Sequence, residues 1–225
     1  LLEPSLNLEK KEGIEAKVDE LGVSSLVVEI GGVTAYPTLV DNEASLRSTI
    51  ETATEEWLHQ YLVFKPLGFF YLLDSIGLSR NYEVVTMNET LASMVSEEIS
   101  SMVYEEYYSE YEDGAGQALE SEFDFNREMR EIRKTVDDYL ARGEIELAEE
   151  FMEQKRQYLV SKGYYIRKLN QAYFAFHGTY ADEPAFISPI GLELKELRSQ
   201  STSLKDFLNT VASMTSRQEL RDSIR

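Results

Sequence analysis

Helical periodicity is the feature that most constrains the fold of this chain. Apolar residues recur every third or fourth position over most of its length, which is the spacing of one face of an α-helix. The clearest case is the segment 45–63, which carries Leu46, Ile50, Trp57 and Tyr61 at this spacing. We therefore predict a mainly α-helical protein.

A small β element is predicted near the N-terminus. Residues 26–30 and 33–36 are rich in strand-forming side chains, are separated by two glycines and are followed by Pro37, as expected for a short strand pair. A helix over residues 8–21, ended by Gly22, precedes them. The predicted fold class is mainly α with a small N-terminal β element (α+β).

A loop and a second helix are predicted to follow the segment 45–63. Pro66-Leu67-Gly68 is expected to end that helix, and residues 69–73 to form an aromatic loop. Thr86-Met87-Asn88 can cap the next helix, which would run to about Tyr108 and carry Glu89 in its first turn.

The second half of the chain is also predicted to be helical. Residues 125–142 and 144–162 indicate an αα-hairpin that turns at a glycine. The aromatic-rich segment 164–182 indicates a buried helix. Two more helices are expected to start near Ser188-Pro189 and within residues 201–203.

Composition excludes several classes of protein. The chain has 22 basic and 41 acidic residues, a formal net charge of −19, which repels nucleic acid and anionic bilayers. It has no cysteine, which excludes disulfides, thiolate nucleophiles and cysteine-ligated metals. No stretch approaches the ~20 apolar residues of a membrane span. The chain does not begin with Met, so an upstream membrane anchor in a longer protein is compatible with the sequence. The localisation stays open between extracytoplasmic and other compartments.

The segment 52–62 contains residues suited to metal chemistry. Glu55 and His59 are four positions apart, so they share one face of a helix, whereas Glu56 points about 100° round the axis. A helical zinc-peptidase signature has histidine at both ligand positions and a glutamate base after the first, and here the first position is Glu55. A third candidate ligand, Glu89, follows His59 by 30 positions.

The stretches EEWLH at 55–59, PLG at 66–68 and NETLA at 88–92 resemble gluzincin-type zinc metallopeptidases and the bacterial predicted aminopeptidases. The similarity extends over most of the chain, through GGVTAYPTLV before these stretches and GYYIRKLNQAYFAFHGTYAD and SPIG after them. The resemblance implies a gluzincin-like helical metallopeptidase domain, a zinc cofactor, and a peptide or protein substrate hydrolysed by metal-activated water.

The resemblance also implies roles for particular residues. The metal ligands would be His59 and Glu89, with Glu55 where the family has its first histidine ligand. Glu56 would be the general base, and Asn88 would correspond to the polar neighbour that often orients this region.

The oxyanion-stabilising side chain of the family is placed less closely by the resemblance. Tyr173, His177 and Tyr180 are the candidates. For His177 itself, the preferred interpretation is a hydrogen-bonded core or helix-end histidine.

The domain organisation implied by the resemblance is a single gluzincin-like domain over residues 1–225. Its parts are an α/β N-terminal part at 1–44, metal-site helices at 45–108, an acidic insertion at 104–124 and C-terminal helices at 125–225. The insertion is rich in tyrosine and contains two glycines, which predicts an exposed segment.

Glu55 changes the expected chemistry of the site. A carboxylate in place of a neutral imidazole converts a His2Glu ligand set, with net charge +1 around Zn²⁺, into a nominally neutral Glu2His set. We therefore expect weaker zinc binding and impaired or absent hydrolysis. The alternative is a catalytically silent pseudopeptidase that acts as a binding or scaffolding module, and an oxygen-rich ligand set also suits Mn²⁺ or Fe²⁺.

Other catalytic classes find little support. Glu56 and His59 form the half-site of a di-iron carboxylate protein, but a second half-site is required. Phe174, three positions before the other histidine, His177, cannot ligate a metal. No phosphate-binding loop or serine nucleophile motif is present.

Overall fold

The computed structural model describes residue 2 and residues 6–29, 32–33, 39–40, 45–108, 123–177 and 189–224. Its elements, in chain order, are α1 (Leu8–Asp19), β1 (Gly32–Val33), β2 (Leu39–Val40), α2 (Leu46–Leu62), α3 (Pro66–Ser75), α4 (Tyr82–Tyr107), α5 (Phe125–Ala141), α6 (Ile145–Ser161), α7 (Gln171–His177), α8 (Ile190–Gln200), α9 (Leu204–Ala212) and α10 (Arg217–Ser223). The mainly α-helical prediction is confirmed. None of the helices within these ranges is both long and apolar enough to span a membrane.

The chain folds as two compact units. Unit 1 contains α1, α5, α6 and α7, and unit 2 contains the strand pair with α2, α3, α4, α8, α9 and α10. The single gluzincin-like domain suggested by the sequence stays a prediction.

The centre of unit 2 is the packing of α2 against α4. The helix α2 begins where the Ser45 side chain accepts a hydrogen bond from the Ser48 backbone N–H, which satisfies one of the free donors of its first turn. Leu58 and Leu62 of α2 are fully buried in the same cluster as Leu91 of α4. This packing holds the face of α2 that carries Leu58 and Leu62 against α4, whereas Trp57 of the predicted apolar stripe is 52% exposed.

The predicted aromatic loop after Pro66 is wrong, because this segment is the helix α3. Pro66 is the first residue of the helix rather than a stop signal. At that position proline loses no intrahelical hydrogen bond and its fixed φ suits the helix. Residues 69–73 are apolar on every side, so they carry no periodic signal from which a helix could be predicted.

The helix α4 begins earlier than predicted. Its N-cap is Asn81, whose side chain accepts a hydrogen bond from the Val84 backbone N–H, and Glu89 consequently lies beyond the first turn. The helix ends at Tyr107, so the first residues of the predicted insertion continue it, and residues 109–122 lie outside the described residues.

Unit 1 contains the predicted αα-hairpin. The helices α5 and α6 are joined by a turn at Gly143, which has a positive φ of 74°, a conformation that favours glycine. Met129, Ile132 and Met152 are among the buried residues of its core. The helix predicted over 164–182 is shorter in the structure, where only α7 is helical among the described residues of that segment. The helix α10, in unit 2, was not predicted.

The strand pair in the structure is formed by different residues from those predicted. β1 pairs antiparallel with β2, with Gly32 opposite Val40, whereas residues 26–29 form no strand. Side chains take the place of a partner strand at Val27, whose N–H donates to Glu15 Oε1 at 2.6 Å and whose carbonyl accepts from Arg167 Nη2 at 2.9 Å. Because its backbone groups are hydrogen-bonded to side chains, this segment needs no partner strand.

Glu15 makes unit 1 sensitive to acid. Burial disfavours its charged form, but the Arg167 hydrogen bonds, the Val27 N–H and the charges of Arg167 and Lys168 outweigh burial and lower the pKa of Glu15 below 4.5. Its contribution to stability is therefore complete above the ordinary value of 4.5 that applies to the unfolded chain, and is lost as pH falls from there through the lowered value. We expect Glu15→Gln to cost about 2 kcal/mol at neutral pH and to flatten the acid dependence.

Hydrogen exchange of the α5 and α6 amides at neutral and acidic pH measures this change. Glu131→Gln is the matched control, because its ion pair with Lys134 is exposed and is expected to contribute less than about 1 kcal/mol. Equal acid dependence in the Glu15 variant and the unaltered chain would show that Glu15 is not responsible.

Candidate metal centre

Three of the residues singled out in the sequence come together in unit 2. Glu55 and His59 on α2 and Glu89 on α4 each offer one ligand atom, and these atoms lie within 4.8 Å of one another. The spacing of four residues places the first two on one face of α2, and the packing of α2 on α4 brings in the third. The group could hold a metal ion.

Asn88 fixes the orientation of the His59 ring. His59 Nδ1 lies 3.1 Å from Asn88 Oδ1, which can only accept, so Nδ1 carries the proton and donates it. In the neutral ring the lone pair is therefore on Nε2, which faces Glu89 Oε2 at 3.6 Å. The His59 and Glu89 side chains are only 12% and 10% exposed.

Tyr71 belongs to the same site and was missed by sequence reasoning. Its ring stacks on that of His59, with centroids 5.9 Å apart. Burial, the charge of Glu89 and the hydrogen bond that the phenol donates to Glu89 raise the pKa of Tyr71, so it remains a neutral donor at physiological pH. The only sequence signal was its location between two candidate ligands, within an apolar run.

The backbone of β1 lies directly against Glu56. A Cβ at Gly32 would be 2.9 Å from Glu56 Cγ and 2.7 Å from Thr52 Cγ2, closer than carbon atoms approach. The glycine therefore allows the strand to lie close to α2 beside the candidate base. The charge of Glu56 also contributes to raising the pKa of Tyr71, so the Glu56 carboxylate acts on the same site.

Two of the three oxyanion candidates lie on α7 in unit 1. The rings of Tyr173 and His177 are 4.2 Å apart, and burial lowers the pKa of His177, which favours its neutral form. Tyr180 lies outside the described residues. Participation of these residues in the Glu55–His59–Glu89 site stays a prediction.

The donor set fits a divalent cation. Zinc accepts carboxylate oxygens at about 2.0–2.2 Å and imidazole nitrogen at about 2.0–2.1 Å, so two of its tetrahedral ligand atoms are about 3.4 Å apart. The 3.6 Å between His59 Nε2 and Glu89 Oε2 is close to this value. The buried side-chain N–H₂ of Asn88 has no partner among the described residues, so only the oxygen of this amide is engaged, on His59.

Unit 2 is therefore a helical unit that contains a Glu/His/Glu group suited to a metal ion. Comparisons with known proteins found no matching family model, no similar curated protein and no similar solved structure.

Proposed function

We propose that this chain is a metallopeptidase-like domain that binds a divalent metal ion through Glu55, His59 and Glu89. In this form hydrolysis is impaired or absent, because Glu55 stands where the resembled family has a histidine ligand. Zinc is the expected ion, and the second carboxylate makes the ligand set suitable for Mn²⁺ or Fe²⁺ as well.

The observation that carries the proposal is the relation of His59 to Glu89. A plain histidine–glutamate ion pair would bring nitrogen and oxygen to a hydrogen-bonding distance of about 2.7–2.9 Å. The 3.6 Å between Nε2 and Oε2 is too long for that bond, and in the neutral ring the contact with Asn88 places the proton on Nδ1 rather than on Nε2. Two acceptor atoms facing one point at this distance support a shared cation.

A bound ion supplies a Lewis acid that polarises a substrate carbonyl and acidifies a water molecule. Glu56, adjacent to Glu55 on α2, would serve as the general base of such a site. Asn88 holds the His59 tautomer, and such outer partners commonly determine metal affinity. Tyr71 donates to Glu89 and keeps that carboxylate oriented.

Metal titration by calorimetry on chelator-treated protein tests the proposal. We expect about one zinc or manganese ion per chain, no binding after His59→Ala, and binding weakened about ten- to hundredfold after Asn88→Ala. Glu51→Gln is the control, because it removes one negative charge from α2 outside the cluster.

Two results would contradict the metal site: no binding of either ion by the unaltered chain, or equal binding after His59→Ala. Metal binding without hydrolysis of any peptide, even after histidine is placed at position 55, would favour the silent binding module over an impaired peptidase.

A further inference from the structure

The helix α3 is apolar on its outer face as well as on its inner one. Leu67 and Gly68 are buried in unit 2. A second set, which we call the outer stripe, is exposed to solvent by the following fractions: Phe64 80%, Phe69 51%, Leu72 39%, Ile76 59% and Leu78 75%.

The spacing of the outer stripe places it on one side of the helix. Phe69, Leu72 and Ile76 follow one another at three and four positions, so they share a face, and Phe64 and Leu78 flank the two ends. The solvent face of a helix in a soluble protein is normally polar. Exposed apolar side chains grouped on one helix face and at its ends are typical of an interaction site.

Charge around the outer stripe differs from that of the rest of the chain. Residues 60–82 contain one carboxylate, Asp74, in a sequence with 41 acidic residues. Asp74 Oδ1 accepts a hydrogen bond from the Asn81 backbone N–H at 2.7 Å. Two cations, Lys65 and Arg80, bracket α3, and neither pairs with a carboxylate within the part of the chain that the structure describes.

Aromatic side chains with polar edges surround the stripe. Trp57 stacks on Tyr61 with ring centroids 5.8 Å apart, and Lys65 Nζ lies 4.8 Å from the Tyr61 ring centroid. This stack leads from α2 to the start of α3, and Tyr82 is exposed beyond its other end. Tryptophan and tyrosine prefer the headgroup level of a bilayer, where one edge is apolar and the other hydrated.

We propose that the outer stripe of α3 inserts into the surface of a zwitterionic lipid bilayer. A helix of 10 residues is about 15 Å long, which is too short to span the ~30 Å hydrocarbon core. It therefore lies in the plane of the interface, with its apolar side embedded and its flanking cations at the level of lipid phosphates.

The choice of a zwitterionic surface follows from charge. Lys65 and Arg80 complement the phosphates of individual lipids, but the net charge of −19 repels a surface that is negative overall. The stripe itself has no charge with which to select a charged protein partner. Membrane binding requires no metal, so it can fail or succeed independently of the proposed metal centre.

Trp57 provides a direct readout, because it is the single tryptophan of the chain. With the full chain and phosphatidylcholine vesicles, we expect co-flotation, a blue shift of Trp57 emission and quenching by brominated phosphatidylcholine. Replacing a third of the lipid by phosphatidylglycerol at low salt is expected to weaken binding.

Paired variants separate the outer stripe from general hydrophobicity. The double variant Phe64→Gln/Leu78→Gln should lower the partition coefficient about 30-fold or more. Leu192→Gln/Met102→Gln should leave it unchanged, because these side chains are also exposed in unit 2 but lie on α8 and α4.

Three results of the vesicle experiments would overturn the proposal. They are no binding to phosphatidylcholine vesicles, equal binding by the two double variants, and binding that strengthens with phosphatidylglycerol. A lipid-independent dimer abolished by Phe64→Gln/Leu78→Gln in sedimentation equilibrium would also overturn it, and would assign the stripe to a second copy of the chain.

Discussion

Glu55→His is expected to lower the zinc dissociation constant at least about tenfold, or 1.4 kcal/mol, and to raise the ratio of zinc to manganese affinity. Position 55 is one helical turn before His59, and its ligand atom already lies within 4.8 Å of the other two. An imidazole there completes a His2Glu set, the ligand set of zinc peptidases. Because the ion is then less neutralised by its ligands, we also expect peptide hydrolysis to rise from a low or absent level.

Competition calorimetry and a panel of fluorogenic peptides measure the two effects separately. Glu55→His/Glu56→Gln should keep the gain in zinc affinity and lose hydrolysis, since Glu56 is the proposed base. Glu51→His is the positional control, one turn earlier on α2 and outside the cluster. Unchanged zinc affinity in Glu55→His would contradict the assignment of position 55 as a ligand, and improved zinc binding without hydrolysis would indicate a cleft that no longer supports catalysis.

Sequence reasoning identified residues that meet at the candidate metal centre because helix geometry relates residues four positions apart. Glu55 and His59 share a face wherever α2 forms, and the resemblance to gluzincins suggested Glu89 as their partner. The distances could not be predicted, because they depend on how α2 packs against α4. The contact of Asn88 with His59 likewise needed this packing.

Tyr71 and α3 were missed for one physical reason. Sequence patterns identify helices by a contrast between an apolar and a polar face, and α3 has no such contrast. Pro66 then looked like the end of α2 rather than the start of the next helix. Because α3 has no polar face, it could not be predicted from its periodicity, and apolar side chains of the outer stripe are exposed to solvent. The segment that was predicted wrongly is therefore also the one proposed to bind lipid.

The strand error has a different origin. Residues 26–29 have strand-forming side chains, but Glu15 and Arg167 satisfy the backbone of Val27. Arg167 is 152 positions from Glu15, so a local pattern contains no information about this pairing. The helices α5 and α6, by contrast, were predicted well because the apolar period and the turn at Gly143 are both local.

Gly68→Ala is expected to destabilise unit 2 by about 3 kcal/mol or more. A Cβ at this position would lie 2.0 Å from the Leu62 carbonyl oxygen and 2.2 Å from its carbonyl carbon. These are backbone atoms at the end of α2, and they cannot move aside as a flexible side chain can. The methyl group would therefore force α3 away from α2 and displace Tyr71 from the His59 ring.

Urea unfolding followed by Trp57 fluorescence measures this effect in unit 2, because the single tryptophan is on α2. Gly77→Ala is the matched control, since its Cβ would meet nothing within 4 Å but its φ is +75°, so only the left-handed backbone conformation is penalised, by about 1–2 kcal/mol. If Gly68→Ala loses no more stability than Gly77→Ala, the close approach of Leu62 does not impose the expected penalty, because Gly68 is not among the glycines with a positive φ. A larger loss at Gly68, accompanied by weaker metal binding, would show that the contact between α2 and α3 supports the geometry of the Glu55–His59–Glu89 site.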